Sequence, residues 1–415
     1  MDFSKEEIRI PVEKNGKYGF VDDSCNYIIE PQFDEARCFS EGLAVVEVEG
    51  KWGYIDKTGN YAIEPQFDEA DDFHEGLASV MVGCTTDFYE NKIGGKWGFI
   101  DKSGEFVIEP QFDRVGDFSE GLAVVVVKAN NDHDIEDYFD DEYDEDENDD
   151  TDLYGFIDIT GRVVVKPQYD NAHSFSEGLA VVSKDFKRGY IDKTGKVVID
   201  LKFSHAEDFH EGLAIVGVEK DELEKLGYID KTGKFVIKPK FEQAGGFSEG
   251  MAAVSCEDGD GYIMWGYIDK TGKMAIEPQY DAANKFSEGY ACVLVGEDEE
   301  DGEEGKWGYI DKTGRCLSEP QFDCANDFSE GMACVNIGGS RNNDEFRAFF
   351  TGGKWGYIDT SGKFAIKPQF DYADDFSSGW AYIGIGCEYD FDFLEYEGGK
   401  WGLVDKEGHV YMIEE

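Results

Sequence analysis

Residues 50–59 read GKWGYIDKTG, and the chain spells this stretch repeatedly with small changes. GKWGFIDKSG begins at Gly95, GKWGYIDKTG returns at Gly305, and GKWGYIDTSG begins at Gly353. Aligning the chain on itself gives ten units. They centre on Tyr18-Gly19, Trp52-Gly53, Trp97-Gly98, Tyr154-Gly155, Arg188-Gly189, Leu226-Gly227, Trp265-Gly266, Trp307-Gly308, Trp355-Gly356 and Trp401-Gly402. A period of this size marks a repeat architecture rather than two or three unrelated domains.

Each unit holds three short extended segments, called here c, a and b. In the second unit they are GLAVVEV (42–48), KWGYID (51–56) and YAIEP (61–65), rich in β-branched and aromatic residues. Segments a and b are joined by DKTG, in which Asp56 can cap the turn and Gly59 can take a positive φ. The expected unit is a three-stranded antiparallel meander. Pro65 lacks an N–H and is expected to end strand b. The linker that follows spaces Phe67, Ala70 and Phe73 by three, which predicts one helical or 3₁₀ turn.

About fifteen positions recur in register, as GLAVV…GKWGYIDKTGKFVIEPQFDxAxxFSEG. On these residues the chain resembles the WG-repeat family of bacterial proteins over nearly its whole length. That resemblance implies a binding role and marks Trp52, Gly53, Asp56, Gly59, Trp97, Trp265, Trp307, Trp355 and Trp401 as signature positions. The expected fold is all-β, one array over residues 1–415. Ten meanders stack face to face because both faces of their strands are apolar. Whole meanders at both ends leave no strand over to close a ring by pairing. The first expectation is therefore an open, curved β-solenoid, with a closed propeller-like ring as the alternative.

The chain carries 39 basic and 91 acidic residues, a net charge of −52. Such a surface repels phosphate backbones and anionic lipid heads, which argues against nucleic acid and membrane partners. No apolar run approaches a membrane span, and the first residues carry no secretory pattern. Nine scattered cysteines without CxxC spacing fit a reduced, cytoplasmic protein, with Cys292 and Cys334 at positions that are valine in sister units. Cys25 stands where other units place the turn glycine, as a reactive exposed thiol or as a worn terminal repeat. Units 5 and 6 depart from the repeat at Arg188, Leu201 and Leu226, through drift or a local binding patch.

Almost every length change falls between c and a: at 83–95, 128–152, 219–225, 256–264, 296–305, 338–353 and 386–399. In a stacked array these loops share one face, where recognition usually sits. The insertion at 128–152 contains NNDHDIEDYFDDEYDEDENDD. It reads as a solvated acidic loop, as a dock for a basic partner, or as a weak Ca²⁺ site without the EF-hand pattern. The docking reading uses Tyr138, Phe139, Asp140, Asp141, Glu142 and Tyr143.

The recurrent Asp56, Asp101, Asp192, Asp230, Asp269 and Asp311 fit turn caps better than catalytic acids. Glu41, Glu75, Glu120, Glu177 and Glu211 of the [SH]EG turn fit an inter-repeat hydrogen bond. His205 and His210 lack a third zinc ligand, and no nucleophile or phosphate-loop motif is present. The sequence thus points to a monomeric, non-catalytic scaffold without a cofactor, binding a protein or peptide of basic surface. A carbohydrate or small-ligand binder would instead need Trp52, Trp97, Trp307 and Trp355 exposed.

Overall fold

The computed structural model describes all residues except 1–8, 87–91, 129–151, 221–222, 258–260, 297–304, 345–346, 391–394 and 414–415. Ten antiparallel blade sheets follow one another along the described residues, with one further two-stranded ribbon, Glu388–Asp390 with Glu395–Glu397, and the described residues contain no helix. Accordingly, none is long and apolar enough to cross a membrane. In the second blade the order is Glu35–Ala36, Leu43–Val48, Lys51–Asp56, Tyr61–Phe67. The meander c-a-b is as expected, with a two-residue strand added beside c. That strand comes from the linker, so each linker joins the sheet of the following blade.

The linker is therefore extended, not helical. Phe67 ends strand b, Ala70 lies in the two-residue strand Glu69–Ala70, and Phe73 follows it into the core. Backbone pairing of Ala70 with Val80 outcompetes a local turn that would satisfy fewer groups. Pro65 likewise does not end strand b but lies within it. Between Trp52↔Phe67 and Tyr54↔Ile63 strand a advances two residues and strand b four, a bulge on an edge strand. Bulges and edges are where a proline costs no ladder bond.

The bulge also explains the glycine of the WG pair. A Cβ on Gly53 would stand 2.6 Å from Pro65 N and 2.7 Å from Ile63 O, so strand b passes where a side chain would be. Gly53 makes room for strand b rather than for Trp52.

Blades pack face to face through side chains. One core cluster joins Val45, Tyr54, Ile63, Phe67 and Phe73 to Val80 and Ile100 of the next blade. Tyr54 is fully buried, meets Phe73 edge-on at 4.9 Å, and donates its hydroxyl to Asp71 O at 2.8 Å. Tyr190, Tyr228, Tyr267, Tyr309 and Tyr357 repeat the bond to their own linkers. The aromatic pair adds about 0.5–1.5 kcal/mol beyond its buried area.

The stack closes on itself. Cys25 of the first blade donates its thiol to Tyr411 O of the tenth at 3.0 Å, and Val12, Val21 and Leu403 are at most 1% exposed. The ten-bladed propeller-like ring, the alternative expectation, replaces the open solenoid. A spare strand is not needed, because blades meet by packing and not by shared ladders. Cys25 has φ +58°, the strained turn the sequence implied, yet it is buried and its thiol is pushed up to about 11 by desolvation. It is a closure contact and not a reactive surface thiol.

Candidate interaction face

In an antiparallel meander the c–a turns lie at one rim and the a–b turns at the other, beside the start of c. The a–b rim is locked by its own residues. Asp56 Oδ1 accepts from Thr58 N at 2.8 Å, Thr58 Oγ1 at 2.6 Å and Asn60 N at 3.2 Å. Those donors hold its carboxyl below the usual range, the Thr58 hydroxyl most. The pattern recurs at Asp101, Asp158, Asp192, Asp230, Asp269, Asp311 and Asp359, with Asp158 down to about 2. These are turn caps.

The [SH]EG turn links neighbours. Ser40 Oγ donates to Phe73 O at 2.8 Å, and the Glu41 carboxylate takes Gly76 N–H at 3.1 Å and Lys102 at 3.1 Å, both from the next blade. Burial pushes the Glu41 carboxyl up, but the Lys102 ammonium and the backbone donors together hold it down. The same Glu–Gly–Lys staple recurs from Glu120, Glu177, Glu211, Glu249 and Glu330. Glu41 holds φ +49°, a conformation of about 1–3 kcal/mol strain that these bonds sustain. Glu75 accepts from Gly121 N–H at 2.8 Å, without a lysine in the turn opposite.

The opposite rim carries the c–a loops, several of them rooted in the blade before. Asp68 pairs with Lys51 of its own blade and accepts Cys84 N–H at 3.0 Å from the next loop. Asp34, Asp113, Asp323 and Asp371 do the same for their neighbours. Two loops extend their own strands as ribbons, Leu77–Thr86 with Lys92–Asp101 and Met332–Asp344 with Arg347–Asp359, and the loop of the tenth blade forms a separate ribbon, Glu388–Asp390 with Glu395–Glu397. The acidic insertion leaves from the pair Lys128↔Asp152, where Lys128 N–H is held by Asp113 and Asp152 by Arg114. Tyr138, Phe139, Asp140, Asp141, Glu142 and Tyr143 lie outside the described residues.

The signature tryptophans are not open platforms. Trp52 is 4% exposed under the Arg37 guanidinium, 5.2 Å from its ring centre. Trp97, Trp265, Trp307, Trp355 and Trp401 are half-buried. His205 lies between Arg188 at 3.2 Å and Glu207 at 3.1 Å, so neither ring nitrogen faces an open zinc position. The group with metal-like spacing among the described residues is Asp405, Glu407 and His409, on a solvent-facing turn where Asp405 already accepts His409 at 2.8 Å. Cys292 and Cys334 are buried core residues, as their valine-like positions implied.

Sequence reasoning missed one set of residues, the linker carboxylates. Desolvation raises Asp72, Asp117, Asp327 and Asp374 above the usual range. Their partners differ: His74 lies 3.6 Å from Asp117, Asn284 Nδ2 3.5 Å and Cys292 Sγ 3.7 Å from Asp327, and Asp374 accepts the Tyr372 hydroxyl at 2.5 Å. The recurrent aspartate one or two residues before the linker phenylalanine was the signal, and it was hidden by the abundance of acid elsewhere.

A ten-bladed all-β ring with interlocked rims is thus the class of protein that the fold and its rims define. The WG containing repeat matches residues 18–52, 52–83, 97–130, 154–187, 189–220, 227–259, 265–297, 307–340 and 355–386, and the chain belongs to the WG-repeat family. No curated relative matches it. Among solved structures it is similar to the tricorn protease, at 11% identity and TM-score 0.34, over 98% of this chain and 53% of that one. Dipeptidyl peptidase 4 of Porphyromonas gingivalis matches at 9% identity and TM-score 0.35, over 73% of this chain and 64% of that one. TolB from Acinetobacter baumannii matches at 11% identity and TM-score 0.29, over 71% and 77%. The chain spans about half the length of the tricorn chain, and likenesses this distant carry no function across.

Proposed function

We propose that this ring is a non-catalytic scaffold that holds a basic protein or peptide against its acidic, loop-bearing rim. The observation that carries the reading is the common rooting of the c–a loops on one rim, with the acidic insertion among them. Residues 129–151 contain thirteen Asp and Glu and no Lys or Arg. A rigid frame under variable loops is the usual arrangement of recognition surfaces. The turn aspartates and the [SH]EG glutamates of the frame are engaged in caps and staples, which supports a structural task for them. Nine free thiols suit a reducing compartment.

A panel of Lys/Arg-rich peptides tests this, titrated against the full chain and against a chain whose residues 129–151 are replaced by a Gly-Ser linker of equal length. Affinity should fall at least about tenfold on replacement, or about 1.4 kcal/mol, and wild-type binding should weaken with added salt. Equal binding by both chains at every salt concentration would contradict the proposal.

A further inference from the structure

Among the described residues strand b ends each blade's sheet without a strand on its far side, an edge that offers backbone groups to another chain. In eight blades the fifth residue of that strand is proline, flanked by Glu-Pro-Gln, Lys-Pro-Gln or Lys-Pro-Lys. Blade 5 differs. Its strand Val197–Phe203 reads VVIDLKF, with Leu201 at the proline position and Asp200 and Lys202 on either side. Asp200 and Lys202 are exposed, Val197 and Val198 are 39% and 38% exposed, and none of residues 200 to 202 has a ladder partner on strand a. This edge keeps the N–H that proline removes elsewhere, and it alone among the seven-residue b strands sets opposite charges around that position.

The charge around it is close to balanced. Residues 179–250 hold 12 Lys and Arg against 13 Asp and Glu, a net of −1 in a chain of −52. Two copies approaching through this sector avoid the repulsion that the acidic insertion and the other acidic loops would impose. An antiparallel pair centred on Leu201 places Asp200 of each copy opposite Lys202 of the other, the self-complementary pattern a twofold axis requires. We propose that blade 5 is a homodimerisation edge and that a second copy of this chain is its occupant, in place of the monomer expected from the sequence. A one-strand contact is small, so the association is weak and concentration-dependent.

Sedimentation of the full chain over a wide concentration range tests the proposal. The wild type should show a reversible monomer–dimer equilibrium. Leu201→Pro, which restores the residue of the sister blades, should be monomeric with an unchanged circular dichroism spectrum. Asp200→Lys alone and Lys202→Asp alone should each be monomeric, and an equimolar mixture of the two should dimerise again. A wild type monomeric at millimolar concentration overturns the proposal. So does a dimer that survives Leu201→Pro, or a mixture of the charge variants that stays monomeric.

Discussion

Gly53 is fixed by a backbone and not by the tryptophan beside it. Pro65 N lies 2.6 Å from the point an alanine Cβ would occupy, so Gly53→Ala must push strand b away. It should cost about 1–3 kcal/mol or more, read as a shift of the urea midpoint. Tyr54→Phe removes a hydroxyl that satisfies Asp71 O and should cost about 0.5–1.5 kcal/mol. The recurrence of both residues was legible, but their tasks were not. The fully buried wedge between blades is Tyr54, two residues after Trp52 and facing the linker. Only the bulge, a departure from regular pairing, reveals why the glycine recurs. Cys25 shows the converse: its positive φ was readable from the missing glycine, while its burial depended on the tenth blade.

At the scale of strands and turns, carboxylates of two kinds oppose each other with pH. The staple glutamates, such as Glu177 and Glu211, are held below their ordinary range by lysine and backbone donors that outweigh burial. Their stabilisation is present above the unfolded carboxylate pKa and is lost as pH falls through the folded value. Asp117 and Asp327 are raised by burial, so their protonated forms favour the fold, and stability is lost as pH rises from the unfolded towards the folded value. Asp327→Asn should therefore raise the melting temperature at pH 7 and leave it nearly unchanged at pH 3, where the wild-type side chain is already protonated. Equal shifts at both pH values would point to packing instead. The three meander strands were readable from the β-branched runs and DKTG. The two-residue linker strand was not, because Phe67, Ala70 and Phe73 carry the same spacing as a helical turn and only the pairing with strand c decides between them.

For the whole molecule, repeat number and rim assignment followed from the sequence, since every length change sits between c and a. Curvature did not. It is set by small offsets at each blade contact, accumulated over ten blades, and no single residue encodes it. The absence of a spare strand argued for an open array, but face-to-face packing closes a ring without one. Closure covers Cys25 with Tyr411 and leaves it 4% exposed, while Cys38 and Cys316 are exposed. Thiol labelling of the native chain, followed residue by residue by mass spectrometry, reads this directly. A closed ring predicts that Cys25 labels far more slowly than Cys38 and Cys316; labelling at their rate would contradict it.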